Sequence, residues 1–319
     1  MDMTLEFERP LIELNKRIQT LQKMQDEDGL DLSASIAQLE DQATRLQEQI
    51  FSDLSRWQRT QLSRHPKRPY SLDYIKALFT DFRELKGDRA GHEDAAIVCG
   101  SAWFDGQPVL VMGHQKGRNT KENLKHNFGM ARPEGYRKAL RLMELANRRG
   151  NPIITFIDTS GAFPGIDAEA RGQAEAIARN IMEMSTYTVP IIVVVIGEGG
   201  SGGALAVGVG NRVLMMENAV YSVISPEGCA AILWRDRAEA PTAAEALRIT
   251  AADCLELGVA DEIVPEPAGG AHRDHAATFE ALGAALRKHL GELSEMDGEQ
   301  LKEDRYERFR KLGAHQELA

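Results

Sequence analysis

Hydrophobic positions in residues 5–60 recur at helical spacing within an otherwise polar stretch. Leu11, Leu14, Ile18 and Leu21 stand 3, 4 and 3 residues apart, and Ile36, Leu39, Ala43, Leu46 and Ile50 repeat at 3, 4, 3 and 4 after a polar break. That stripe predicts a helical hairpin or a short coiled-coil seam, packed on a partner or on the main domain; an ordinary intramolecular helical pair fits equally well. Arg64-His65-Pro66-Lys67-Arg68-Pro69-Tyr70 is a proline-bounded basic linker, and Ser71 is expected to cap a helix over 73–82. Near residue 94 the pattern changes. Residues 95–103 and 109–112 read as strands joined by an Asp105-Gly106 turn. A helix with Pro133 near its start, a strand at 153–157, a helix over 168–186 and a strand at 191–196 follow. Strands at 212–216 and 220–224, a helix at 227–234, a helix over 242–257 ended by Gly258, and a strand at 259–264 come next. A helix through Phe279, Leu282, Leu286 and Leu293 and a charged segment close the chain. Repeated units of two strands and a helix differ from the simple β-α alternation of a nucleotide fold. The expected organisation is a helical segment at 1–62, one α/β domain at 63–296 and a charged helical tail at 297–319.

Composition narrows the functional classes. The 319 residues can bury a full core. The net charge of −10 argues against bulk binding to nucleic acid or an acidic membrane. Three cysteines, Cys99, Cys229 and Cys254, form no C-x-x-C pair, so neither a zinc ribbon nor a disulfide framework is expected. Their isolation suits a reducing cytoplasm. The first residues are acidic with no apolar core, so no signal peptide is expected, and no run of eighteen apolar residues suggests a membrane span.

Glycine places the candidate chemistry. Residues 197–210 hold seven glycines in fourteen positions, directly after the apolar run 190–196. A strand that turns through Gly199, Gly200, Ser201, Gly202 and Gly203 into a helix leaves backbone N–H groups unpaired at the positive end of the helix dipole. Such a loop can hold a phosphate or stabilise an oxyanion; a glycine hinge with tight helix packing is the bland alternative. A Walker loop is excluded because Ala204-Leu205 follows Gly203. The letters of a dinucleotide fingerprint at 197–202 are a weak match, since Glu217 follows only a very short helix. A second loop, Asp158-Thr159-Ser160-Gly161-Ala162-Phe163-Pro164-Gly165, also ends a strand. In a parallel arrangement the two loops sit side by side and form one site. Asp158 reads as a turn cap more readily than as a loop-orienting group. The locally basic Gly113-His114-Gln115-Lys116-Gly117-Arg118-Asn119-Thr120-Lys121 could receive an anion or an acidic partner, or be a solvated loop. Ser225-Pro226-Glu227 reads as a helix start. Cys229 lacks a readable base, and Ser201 resembles a nucleophile elbow only loosely.

Taken together, 158–165, 197–210, Tyr221-Ser222-Val223-Ile224-Ser225-Pro226-Glu227-Gly228-Cys229-Ala230, His114-Gln115-Lys116-Gly117-Arg118 and Asn127-Phe128-Gly129-Met130 closely resemble the α-subunit family of bacterial acetyl-CoA carboxylase carboxyltransferases. The resemblance runs through nearly the whole chain. Ser160 and Phe163 depart from the Pro and Tyr of the family's loop. The resemblance implies a crotonase-like α/β fold of stacked ββα units. It implies carboxyl transfer from carboxybiotin, on a biotin carboxyl carrier protein, to acetyl-CoA, giving malonyl-CoA for fatty acid synthesis. It also implies a β subunit in an α2β2 assembly that carries the zinc. Biotin carboxylase and ATP enter only at the level of the whole complex, and no metal is expected in this chain.

On that reading the backbone amides of Gly202 and Gly203 hold the biotin ureido oxygen, and a side chain at either is expected to obstruct it. Gly161, Ala162, Phe163, Gly165, Gly199, Gly200, Ser201, Lys116 and Arg118 would contact substrate. The ureido anion can itself deprotonate acetyl-CoA, so no side-chain base is required. A non-catalytic scaffold subunit and a crotonase-like hydratase or isomerase remain the rivals, the second with only Glu198 and Asp158 as weak acid/base candidates.

Overall fold

The computed structural model describes residues 5–313; residues 1–4, which open the acidic start, and 314–319, which end the charged tail, lie outside them. Helices α1 (Arg9–Asp28) and α2 (Ser33–Ser52) form the expected hairpin within one chain. Their seam buries Leu11, Ile18, Ile36 and Ala43 against Leu14, Leu21, Leu39, Leu46 and Ile50, the residues that the periodicity selects. Gly29 ends α1 in the left-handed conformation at φ 67°. Helix α3 (Arg56–Ser63) starts from a Ser55–Gln58 capping box and turns onto the main domain, where Arg56 pairs with Asp253 at 2.6 Å and Glu245 at 2.8 Å.

Helix α4 (Ser71–Leu78) begins two residues earlier than expected, with Tyr70 at its N-cap position. Ser71 is instead buried, its hydroxyl donating to the His114 carbonyl at 2.6 Å. The helix stops at Leu78, and the expected continuation is strand β1 (Thr80–Glu84). Its residues are polar and mostly exposed, so pairing with the next strand, rather than local pattern, makes it extended. Strands β2 (Ile97–Phe104) and β3 (Gln107–His114) form the expected hairpin. Asp105 and Gly106 both have positive φ, 47° and 79°, as a two-residue turn with right-handed strand twist requires.

From here the chain alternates. Helices α5 (Thr120–Lys125) and α6 (Pro133–Arg149) lead to β4 (Ile153–Thr159). The single helix expected over 168–186 is two, α7 (Ile166–Ala170) and α8 (Gln173–Thr186), because Gly172 turns the chain at φ 85°. Strand β5 (Ile191–Gly200) runs four residues further than its apolar stretch, so the glycine run begins as strand, over residues 197–200. Helix α9 (Ser201–Leu205), β6 (Arg212–Met216), β7 (Val220–Ser222) and α10 (Pro226–Leu233) follow. The helix expected over 242–257 is also two, α11 (Ala240–Leu247) and α12 (Ala251–Glu256). Arg248, at φ 51°, ends the first and a Thr250–Asp253 capping box starts the second. Strand β8 (Glu262–Val264), α13 (His275–Ser294) and α14 (Gly298–Arg310) complete the described chain. The charged tail is thus partly a docked helix: Arg305 is buried and donates to the carbonyls of Met184, Tyr187 and Val189.

Among the described residues the eight strands form one sheet, in the order β1-β2-β3-β4-β5-β6-β8. The first pairings are antiparallel and those from β3 onward parallel. Strand β7 does not pair with β6; it pairs with the outer end of β5, through Glu198↔Val220 and Gly200↔Ser222. β5 therefore forks, holding β6 along its first half and β7 along its tip. β4 and all of β5 before Gly200 are buried, which explains the apolar run Ile191–Ile196, while Asp158 and Glu198 mark the polar ends of the two strands.

Candidate active site

The carboxyl ends of β4 and β5 lie side by side, in register at Thr159↔Gly199. Their glycine loops touch backbone to backbone. A Cβ on Gly200 would stand 2.3 Å from the Ser160 carbonyl oxygen, and one on Gly203 would stand 2.4 Å from the Ala162 nitrogen. A Cβ on Gly199 would meet the Tyr221 ring at 2.6 Å. Glycine is thus required sterically at these positions. Gly202 differs: a Cβ there would meet Ile177 at an ordinary 3.6 Å. The expectation that a side chain at either of Gly202 and Gly203 obstructs the site is therefore supported by packing at Gly203 alone.

Helix α9 opens at Ser201, so the amides of Ser201, Gly202 and Gly203 fall in its first turn, where no intrahelical acceptor exists. Ser201 is exposed and takes φ 57°. In the facing loop, Thr159 Oγ1 donates to the Gly161 carbonyl at 2.7 Å, Phe163 N donates to the Ala131 carbonyl at 2.9 Å, and the Arg132 guanidinium lies 4.4 Å over the Phe163 ring. Ala162, Phe163 and Gly165 are half-buried. The two loops are brought together as the sequence suggests. Beside them lies a cleft of about 450 Å³ lined by Arg64, Ser160, Glu198, Ser225, Glu227, Gly228 and Arg237.

The basic loop takes another role. Lys116 Nζ is held between Asp158 Oδ1 at 2.7 Å and Glu198 Oε2 at 3.2 Å. Burial alone would lower the pKa of this ammonium, but Asp158 and Glu198 outweigh it and hold it well above its ordinary value. Arg118 donates to the carbonyls of Pro66 (2.7 Å) and Arg68 (2.8 Å), pairs with Asp73, and stacks on Tyr70 at 4.0 Å. Both cations are thus engaged within the chain, Lys116 by two carboxylates and Arg118 by carbonyls and Asp73. Asp158 is likewise no turn cap: it accepts from Lys116 and, at 3.1 Å, from the Glu198 amide, so it ties the ends of β4 and β5 together.

Sequence reasoning missed Arg64, which it placed in a linker. Arg64 Nε donates to Glu198 Oε1 at 2.6 Å, and its terminal nitrogens grip Glu227. Burial raises the Glu198 pKa, but Lys116 and then Arg64 overcome it and hold the carboxyl below its usual range. Glu198 is therefore an anion with both oxygens occupied, a poor general acid. His114 is no better as a base: burial, then Lys116, pushes its pKa down to about 3. Cys229 is packed among Ala230 and Ala243. The helix start at Ser225-Pro226-Glu227 is as expected, Ser225 Oγ accepting from Gly228 N at 3.1 Å. The site thus offers main-chain donors beside a cleft, framed by a neutralised charge network, with no poised acid/base pair.

The architecture is that of the crotonase-like carboxyltransferases. A transcarboxylase 12S structure matches with a TM-score of 0.56 at 22% identity, over 72% of this chain and 44% of that one. A Pseudomonas malonate decarboxylase hetero-dimer matches with a TM-score of 0.57 at 16% identity, over 81% of this chain and 96% of that one. The chain belongs to the acetyl co-enzyme A carboxylase carboxyltransferase-like family, whose model matches residues 4–313. The acetyl-coenzyme A carboxylase carboxyl transferase subunit alpha of Syntrophotalea carbinolica is 58% identical over 318 residues, 99% of this chain and 100% of that protein. The subunit of the same name in Thermus thermophilus is 56% identical over 315 residues, 99% of this chain and 100% of that one.

Proposed function

We propose that this chain is the α subunit of an acetyl-CoA carboxylase carboxyltransferase, moving a carboxyl group from carboxybiotin to acetyl-CoA and forming malonyl-CoA for fatty acid synthesis. The full-length family match supports the activity. The observation that carries the site is the closure of two glycine strand ends on each other, Gly200 on Ser160 and Gly203 on Ala162. When its carboxyl group leaves, biotin keeps negative charge on the ureido oxygen. The amides of Gly202 and Gly203 are the donors assigned to that charge, a preorganised pair of a kind worth about 3–4 kcal/mol per donor to the transition state. The commitment of Asp158 and Glu198 to Lys116 and Arg64 fits chemistry in which no side chain moves a proton. Phe163, with Gly161, Ala162 and Gly165, would form the wall against which the bicyclic ring rests.

On this reading a β subunit supplies the remaining half of the site and the zinc, in an α2β2 assembly, and a biotin carboxyl carrier protein delivers the substrate after biotin carboxylase has loaded it. No helix among the described residues is long and apolar enough to cross a membrane; the proposed setting is the cytoplasm. The test is malonyl-CoA formation by the purified chain, by the β subunit, and by the two together, with a carboxybiotin donor. Activity in the pair alone is expected. Full activity of either chain by itself, or none in an assembled pair, would overturn the reading.

A further inference from the structure

Away from the glycine loops, three residues remote in sequence converge where the N-terminal hairpin meets the core. Glu8 immediately precedes α1, His65 follows α3, and His272 lies in the loop between β8 and α13. Each can bring one ligand atom, and these atoms all lie within 4.8 Å of one another. We propose that Glu8, His65 and His272 form a binding site for one divalent transition-metal ion of the zinc, cobalt and nickel class, fastening the hairpin to the core.

Burial and unmet polarity point this way. The side chains of His272 and Glu8 are only 4% and 2% exposed. Neither ring nitrogen of His272 has a hydrogen-bond partner, and its Nε2 stands 3.6 Å from Glu8 Oε1, beyond hydrogen-bond length. A buried imidazole whose nitrogens find only one carboxylate, and that at 3.6 Å, is costly unless something occupies it. The two imidazoles stack at 4.0 Å between centroids and 31° between planes, so the rings are neighbours and must swing apart for one nitrogen of each to reach a common ion. His65 Nδ1 accepts from Lys67 N at 3.2 Å, a long contact that coordination would exchange for a metal bond. Tetrahedral bonds of about 2.0–2.1 Å set ligand atoms roughly 3.3 Å apart, so modest side-chain rotation closes the site.

The surroundings supply what a metal centre needs. Arg273 donates to Glu8 Oε1 at 2.8 Å, the outer contact that holds a ligating carboxylate in place. The cluster opens on a cleft of about 830 Å³, lined by Lys16, Gln19 and Gln47 among others, which gives an entry path and room for a water as fourth ligand. Two imidazoles and one carboxylate suit zinc-class ions better than magnesium or calcium.

The test uses the full, untagged chain after chelation. Cobalt(II) is the probe, read by its visible d–d absorption, with zinc as competitor. One ion per chain is expected, displaced by zinc, with slower hydrogen exchange in α1 and α2 when it is bound. His272→Ala and Glu8→Gln should each weaken binding by more than about tenfold, the least that even an outer contact contributes. His92→Ala, at an exposed histidine, should not change it. Circular dichroism checks folding, and His272→Gln replaces the alanine variant if that one unfolds. No cobalt absorption in the wild-type chain, or a smaller loss than that in the folded variants, overturns the proposal.

Discussion

Replacing Lys116 by Met keeps the unbranched stem and removes the charge between two buried carboxylates. Asp158 and Glu198, with side chains 4% and 12% exposed, would then face each other without the ammonium now 2.7 and 3.2 Å from them. Removing one partner of a buried ion pair costs about 3–5 kcal/mol. Arg64 still holds Glu198, at 2.6 Å, so the lower end, about 3 kcal/mol, is expected at neutral pH. The pH dependence gives a second, signed check. In the wild-type chain the Glu198 pKa is lowered on folding, so its contribution is present above the unfolded value of about 4.3 and is lost as pH falls through the folded one. In the variant, two neighbouring carboxylates cannot both ionise cheaply, so one takes up a proton at a raised pKa. The deficit should therefore be largest at about pH 7.5 and should shrink toward about pH 5.5. Urea unfolding of both proteins across that range measures it. An unchanged midpoint at neutral pH, or a deficit that grows on acidification, would refute the assignment of Lys116 as the shared counter-charge of Asp158 and Glu198.

Gly203→Ala must push the 160–165 loop away from a Cβ placed 2.4 Å from Ala162 N, a displacement of roughly 1 Å that should lower kcat by about a hundredfold. Gly202→Ala, with an ordinary 3.6 Å contact, should keep its melting temperature and its assembly; equal turnover of the two variants would contradict the packing argument. Arg118→Ala should lower stability by about 1–3 kcal/mol, through the loss of its donors to Pro66 and Arg68, while KM stays the same. A raised KM with unchanged melting would return Arg118 to the role of anion receptor. Arg305→Met leaves the carbonyls of Met184, Tyr187 and Val189 without their donor and should cost about 3 kcal/mol in chemical unfolding; a change under about 0.5 kcal/mol would mean that α14 contributes nothing there.

Local pattern carried much of this architecture. The seam of α1 and α2 follows from a 3-4 spacing, the β2–β3 turn from Asp105-Gly106, and the paired loops from glycines after apolar runs. What escaped was set by distance or by single dihedrals. Strand β1 has no apolar alternation and exists through its pairing with β2. The breaks at Gly172 and Arg248 sit inside segments whose hydrophobic spacing continues on both sides. Arg64 meets Glu198 across 134 positions, and a basic residue just before Pro66 gives no local sign of a buried acidic partner. The partners of Lys116 and Arg118 were hidden for the same reason: a run of positive charge looks free until the fold brings its acids.

The fork in β5 has a consequence for how this site can evolve. Its tip is pinned by main-chain pairing to β7 on one side and β4 on the other, and Gly199, Gly200 and Gly203 exclude any larger residue. The part of the pocket assigned to chemistry is written in main chain, with no alphabet of side chains to vary. On the proposed reading the room for side-chain variation lies on the opposite lip, at Ser160 and at Phe163 with its supports Arg132 and Gln173. On that reading the floor and the wall meet main chain to main chain at Ser160 and Ala162, so the wall can change its side chains but not its path.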